Sequence, residues 1–164
     1  MGGVHNVLVD NLKVYNKAVH PLSFNTFSTK NVYRNCELFT DPDLDQHAGA
    51  NFQNLFDNIK VHLQPNTDNS YPLFAGGGAN YWKPSHGSYS TFWNINVDVL
   101  EGNLYETILL DGMEEGPFAR IIGINGNRKF EVKYGPDAYF ECVNKSMEKI
   151  PSLYNYQLKK RIPN

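Results

Sequence analysis

The 164-residue chain has two cysteines, Cys36 and Cys142. Two thiols are too few to define a disulfide framework or a redox compartment. No Cys/His spacing matches a zinc motif, so no metal and no cofactor is expected. No apolar run approaches the roughly 18 residues of a spanning helix, which argues against a membrane partner. Fifteen basic and 17 acidic residues leave a net charge of −2, so nucleic-acid binding is not expected either. No nucleophile elbow occurs, and Gly76-Gly77-Gly78 lacks the Lys-Ser/Thr of a phosphate loop. No signal peptide is visible, since Met1-Gly2-Gly3-Val4-His5 leads directly into a strand pattern.

What the chain does have is a repeat. Four segments read Val9-Asp10-Asn11-Leu12-Lys13-Val14, Tyr33-Arg34-Asn35-Cys36-Glu37-Leu38, Phe56-Asp57-Asn58-Ile59-Lys60-Val61 and Phe92-Trp93-Asn94-Ile95-Asn96-Val97. The asparagines fall 24, 23 and 36 residues apart. A period near 23 with alternating short strands marks a solenoid. The expected fold is all-β: a right-handed parallel β-helix with one coil per repeat. Leu12, Cys36, Ile59 and Ile95 should form one inward column, and Val14, Leu38, Val61 and Val97 a second. Lys13, Glu37, Lys60 and Asn96 should face water. Asparagine tolerates the left-handed backbone of a tight bend, and stacked asparagines can hydrogen-bond along the stack. The competing reading is four unrelated Asn turns in a β-sandwich.

Coils are expected over residues 1–149, with a loop-like insertion at about 64–90 where the spacing widens. Residues 119–124 and 129–134 read as a last, degenerate coil joined by the Asn125-Gly126-Asn127 turn. Residues 150–164 read as a helix with Ser152 as N-cap and Lys159, Lys160 and Arg161 at its negative end. Its expected role is to cap the last coil with Leu153, Leu158 and Ile162. Further coils are expected before residue 4, because a bare coil end needs a neighbour.

The phrases from Asp45 to Asn58, Gly76-Gly77-Gly78 and Thr91-Phe92-Trp93-Asn94-Ile95 resemble β-helix proteins of bacterial, Bacteroidetes-type polysaccharide-degradation systems. The ending Ile150-Pro151-Ser152-Leu153-Tyr154-Asn155-Tyr156-Gln157-Leu158 is similar to the close of a C-terminal domain of unknown function in such proteins. The resemblance implies a secreted or periplasmic protein that binds or acts on a glycan. Its partners would be a polysaccharide or oligosaccharide and the upstream domains of the native protein. It carries over no catalytic residue.

The residues themselves point to binding more than catalysis. Tyr81, Trp82 and Tyr89 lie in or beside a polar, Gly-rich insertion, and Trp93 sits at a repeat position marked as exposed. Aromatic faces stack on sugars while polar neighbours bond hydroxyls. His47, Lys83 and His86 are the expected polar contacts; the alternative is that Trp82 and Trp93 pack the insertion onto the coil face. Without that insertion, the outer column of Tyr15, Phe39 and His62 is the next site. Asp10 and Asp57 flank Arg34 and are more simply a charge column than a catalytic pair. Asp41, Asp43 and Asp45 alternate in a calcium-like way, yet lack an EF-hand's Gly and Glu, so a solvated turn is the preferred reading. The expected function is a non-catalytic carbohydrate-binding accessory module. The alternatives are part of a β-helix lyase or hydrolase, or a structural cap.

Overall fold

The computed structural model describes residues 1–47, 49–77, 87–102 and 104–162. The main sheet runs β1 (Leu8–Asp10), β4 (Val32–Arg34), β7 (Leu55–Leu63), β9 (Thr91–Val99), β11 (Arg120–Gly126) and β13 (Tyr139–Glu141), with β2 (Lys13–Val14) and β5 (Glu37–Leu38) extending its first rungs. A second sheet orders β12 (Lys129–Tyr134), β10 (Thr107–Met113) and β8 (Ser70–Tyr71), and a third pairs β3 (Leu22–Phe24) with β6 (Leu44–Gln46). Every strand pairing is parallel. Backbone bonds from Leu44 N to Leu73 O (2.9 Å) and from Phe74 N to Asp111 O (3.0 Å) join the two smaller sheets through residues 73–75. The strands therefore lie in stacked rungs, as the repeat requires.

Register follows the sequence phase. Val9, Tyr33, Phe56, Phe92, Ile121 and Phe140 share one column, six rungs deep. Two of these rungs escape the sequence repeat because Gly123 and Cys142 replace its asparagine. The bend residues Asn11, Asn35, Asn58, Asn94, Gly123 and Cys142 all have left-handed backbones, with φ of 58°, 53°, 56°, 54°, 80° and 54°. Asn58 Nδ2 donates to Asn35 Oδ1 and Asn94 Nδ2 to Asn58 Oδ1, each at 2.8 Å. A second left-handed column, Asn6, Lys30, Gln53, Tyr89, Phe118 and Asp137, has no common residue type and is invisible to a motif search.

The core lies between the sheets. Cys36, Leu38, Ile59, Val61, Ile95 and Val97 are buried as expected, whereas Leu12, on the outermost rung, is 37% exposed. Aromatic rings form the centre: Phe56 stacks on Phe92 at 5.1 Å, and Phe74 meets Phe92 edge-on at 5.0 Å. The glycine in Asn125-Gly126-Asn127 is required for close approach rather than for a positive φ. A Cβ on Gly126 would come within 1.8 Å of the Val97 carbonyl oxygen.

The outward residues carry charge pairs. Glu37 meets Lys13 Nζ at 3.2 Å, Lys60 Nζ at 3.5 Å and His62 Nε2 at 3.0 Å. The His62 hydrogen bond, then Lys13 and Lys60, hold the Glu37 carboxyl below its ordinary value. A depressed carboxylate adds stability above its unfolded pKa, and that stability is lost as pH falls through the folded one. Glu37→Gln should therefore cost about 0.5–1 kcal/mol at neutral pH, the scale of a surface network. The cost should vanish in strong acid when urea unfolding is repeated there. An equal cost at both pH values would assign the effect to packing instead.

The tail departs from expectation in its position. Helix α1 (Leu153–Arg161) begins at Ser152, whose Oγ accepts from Asn155 N at 3.1 Å, as expected of an N-cap. It does not lie over the last rung. Residues 150–155 cross the outer face of the main sheet, where Trp93 Nε1 donates to Ile150 O at 2.9 Å and Asn94 Nδ2 to Pro151 O at 3.1 Å. The wholly buried Asp57 accepts from Ser152 Oγ at 2.5 Å, Leu153 N at 2.8 Å and Tyr154 N at 3.2 Å. Burial raises the Asp57 carboxyl, and these donors partly offset the rise. Arg34 pairs with Asp10 at 2.5 Å and donates to Asn155, so it does not bridge two carboxylates. Leu158 and Ile162 stay 40% and 62% exposed, so they cover no rung end. The helix is a strap, because its N-terminal N–H groups find a carboxylate on the sheet face.

Candidate functional site

The segment at 64–90 is only partly an insertion. Its first half contributes β8 and the buried Tyr71, Leu73 and Phe74, and its backbone bonds to β6 and to β10. Tyr71, Leu73 and Phe74 fill the core, so this part is not a solvated loop. The expected contacts Tyr81, Trp82, Lys83 and His86 lie outside the described residues.

The other three expected contacts are described, and they lie in three different settings. Trp93 is half-buried beneath the strap, with its indole N–H committed to Ile150 of the tail rather than to the insertion. Tyr89 stands on the second bend column, 47% exposed, and stacks on the equally exposed Phe118 at 5.2 Å and 17°. His47 follows β6 and turns toward Asp45: its Nδ1 lies 3.1 Å from Asp45 Oδ2.

That contact belongs to a cluster. Asp45 is in the middle of β6, paired with Ser23 of β3, and is wholly buried. Its Oδ2 accepts from Ser23 Oγ at 2.7 Å and lies 2.9 Å from His20 Nδ1. Its Oδ1 accepts from Gly77 N at 3.0 Å. The His20 and His47 rings meet edge-on at 4.5 Å. The acids at 41, 43 and 45 are thus not a shared solvated turn. Asp41 has a left-handed backbone, φ 43°, which breaks the alternation, and it pairs with Lys17 at 2.9 Å. Burial, then the charge of Asp45, pushes the Asp43 carboxyl up to about 8.

On a different outer face, one register position yields a stack of rings. Tyr15, Phe39 and His62 each follow the paired Val14, Leu38 and Val61. Tyr15 stacks on Phe39 at 4.8 Å and 15°, and Phe39 on His62 at 4.8 Å and 9°. Tyr15 ends the stack and is 62% exposed. His62 is held between Glu37 at 3.0 Å and Asp98 at 2.9 Å, so polar groups edge the rings. Stacked in this way, the rings cover one another's faces and present their edges, with the exposed Tyr15 ring at one end and the carboxylates of Glu37 and Asp98 beside His62 at the other.

Sequence reasoning found His47 and the Tyr15 column but missed His20 and Ser23. Carrying the rung period back from Asp45 leads to Ser23. His20 precedes one strand and His47 follows the other, so no linear spacing relates them. No protein-family model, curated protein or solved structure matches this chain.

Proposed function

We propose that this chain is a non-catalytic glycan-binding accessory module of a secreted or periplasmic protein, built on a right-handed parallel β-helix. The observation that carries the reading is the stacked column Tyr15–Phe39–His62. Its rings stand at one register position of a rigid parallel sheet, so their spacing is set by the backbone rather than by loops. The exposed ring of Tyr15 at one end of the stack, with Glu37 and Asp98 holding His62 at the other, suits a sugar chain, which has apolar ring faces and hydroxyl edges. The resemblance of the repeat and tail phrases to polysaccharide-degradation proteins supports the same reading.

Affinity electrophoresis against a panel of neutral, sulfated and uronate polysaccharides tests it. Tyr15→Ala should weaken retention on the retarding polymer at least about fivefold, the effect of losing roughly 1 kcal/mol at an aromatic contact. Circular dichroism should stay unchanged, because Tyr15 is a surface residue. Tyr89→Ala, on the other exposed ring pair, should leave retention intact. No retention on any polymer would overturn the proposal, as would undiminished retention of Tyr15→Ala. Release of reducing ends or unsaturated products would move the chain to the lyase or hydrolase class.

A further inference from the structure

We propose that His20, Asp45 and His47 form a binding site for one divalent transition-metal ion of the zinc class. The site is independent of the glycan-binding face. One ligand atom from each of the three side chains lies within 4.8 Å of the other two. Both imidazoles turn Nδ1 toward the same carboxylate oxygen, at 2.9 and 3.1 Å. Tetrahedral ligands with bonds of about 2.0–2.1 Å sit roughly 3.3 Å apart, so small rotations would admit the ion. Two imidazoles and a carboxylate are a borderline-soft set that suits zinc over calcium or magnesium.

The surroundings hold the set in place. Asp45 is wholly buried, yet among the described residues no lysine or arginine forms an ion pair with it. The N-terminal ammonium is near enough to feel the Asp45 charge but donates to Ser23 O at 2.7 Å. A buried carboxylate with no Lys or Arg partner is an anionic niche awaiting a cation. Ser23 Oγ and Gly77 N orient the two carboxylate oxygens, and Asn51 Nδ2 donates to the His47 backbone carbonyl. Such outer contacts are what fix ligand orientation in metal sites. Gly77 closes the cluster from the insertion side. A Cβ there would lie 2.6 Å from His47 Nδ1 and 3.1 Å from His20 Cε1. The 40% exposed side chain of His20 gives solvent an approach to the cluster, and water would complete a tetrahedral ion as the fourth ligand. The ion takes both rings as the tautomer with hydrogen on Nε2, leaving the Nδ1 lone pairs for coordination.

His62 shows what a different geometry does. Its two ring nitrogens point at separate carboxylates, Glu37 and Asp98, so no ligand set converges there.

The experiment uses the whole chain, dialysed against chelator and titrated with Zn²⁺ in competition with a chromogenic chelator. A parallel Co²⁺ titration reads the visible absorption of a tetrahedral ion. Expected are one equivalent bound and a higher melting temperature with the metal present. His20→Ala and Asp45→Asn should weaken affinity by more than the roughly tenfold lost when an outer contact is removed. His62→Ala should bind as the parent does. If Asp45→Asn fails to fold, the surface variant His20→Ala carries the test alone. Substoichiometric binding by the parent overturns the site. So does stoichiometric binding that His20→Ala leaves undiminished, since the ion would then lie elsewhere.

Discussion

Phe92→Ala is expected to destabilise the fold by about 3–5 kcal/mol, the range for truncating a buried aromatic. Phe92 is wholly buried on the central strand β9, which pairs with both β7 and β11. Its ring stacks on Phe56 at 5.1 Å and meets Phe74 at 5.0 Å and Tyr134 at 5.5 Å edge-on. The neighbours are Phe56 of the main sheet, Tyr134 of the second sheet and Phe74, whose backbone N–H is bonded to Asp111 O, so each is held by its own backbone hydrogen bonds and cannot collapse freely into the space left behind. The cavity therefore persists, and its cost adds to the lost transfer free energy. Phe92→Leu should cost less than half as much, because most of the volume remains. Phe27→Ala, at a ring 58% exposed, should stay within about 0.5 kcal/mol of the parent. Urea midpoints at constant slope measure all three. A loss under about 1 kcal/mol for Phe92→Ala would mean that the ring stack does not support the core.

The second large effect is expected at Asp57. Asp57→Ala should cost about 2–4 kcal/mol and release the strap. The carboxylate is the acceptor for Ser152 Oγ and for the N–H groups of Leu153 and Tyr154. Removing it leaves these donors buried at the start of α1 without a partner, and the helix dipole loses its negative charge. Ser152→Ala should cost only about 1 kcal/mol, since it removes the cap but keeps the carboxylate. The specific readout is limited trypsin digestion at Lys159, Lys160 and Arg161, which should accelerate in Asp57→Ala more than in Ser152→Ala. Unchanged digestion and stability would assign the attachment to Trp93 and Asn94 instead.

The rung register was legible in the sequence, and for a physical reason. In a parallel stack each level repeats the one below, so a residue type required at one bend is required at the next. Asn35, Asn58 and Asn94 meet the same left-handed backbone and bond to one another, and their linear period is the structural one. The inward alternation of Cys36–Leu38, Ile59–Val61 and Ile95–Val97 follows from the pleat alone. The Tyr15–Phe39–His62 column was legible for the same reason, since equal phase becomes equal face.

What only the tertiary structure decided lies where the period fails or where distant segments meet. Leu73 and Phe74 read as loop residues because glycine and proline surround them, yet their backbone bonds to both smaller sheets and their side chains reach the core. Asp57 looked like an exposed charge until a helix 95 residues later brought its N-terminus to it. His20, just before β3, and His47, just after the paired β6, converge on Asp45 in the middle of β6, and no spacing along the chain relates the two histidines. A repeat specifies what each rung demands of its own residues. Contacts made once, between a rung and something outside the stack, have no second copy in the sequence to reveal them.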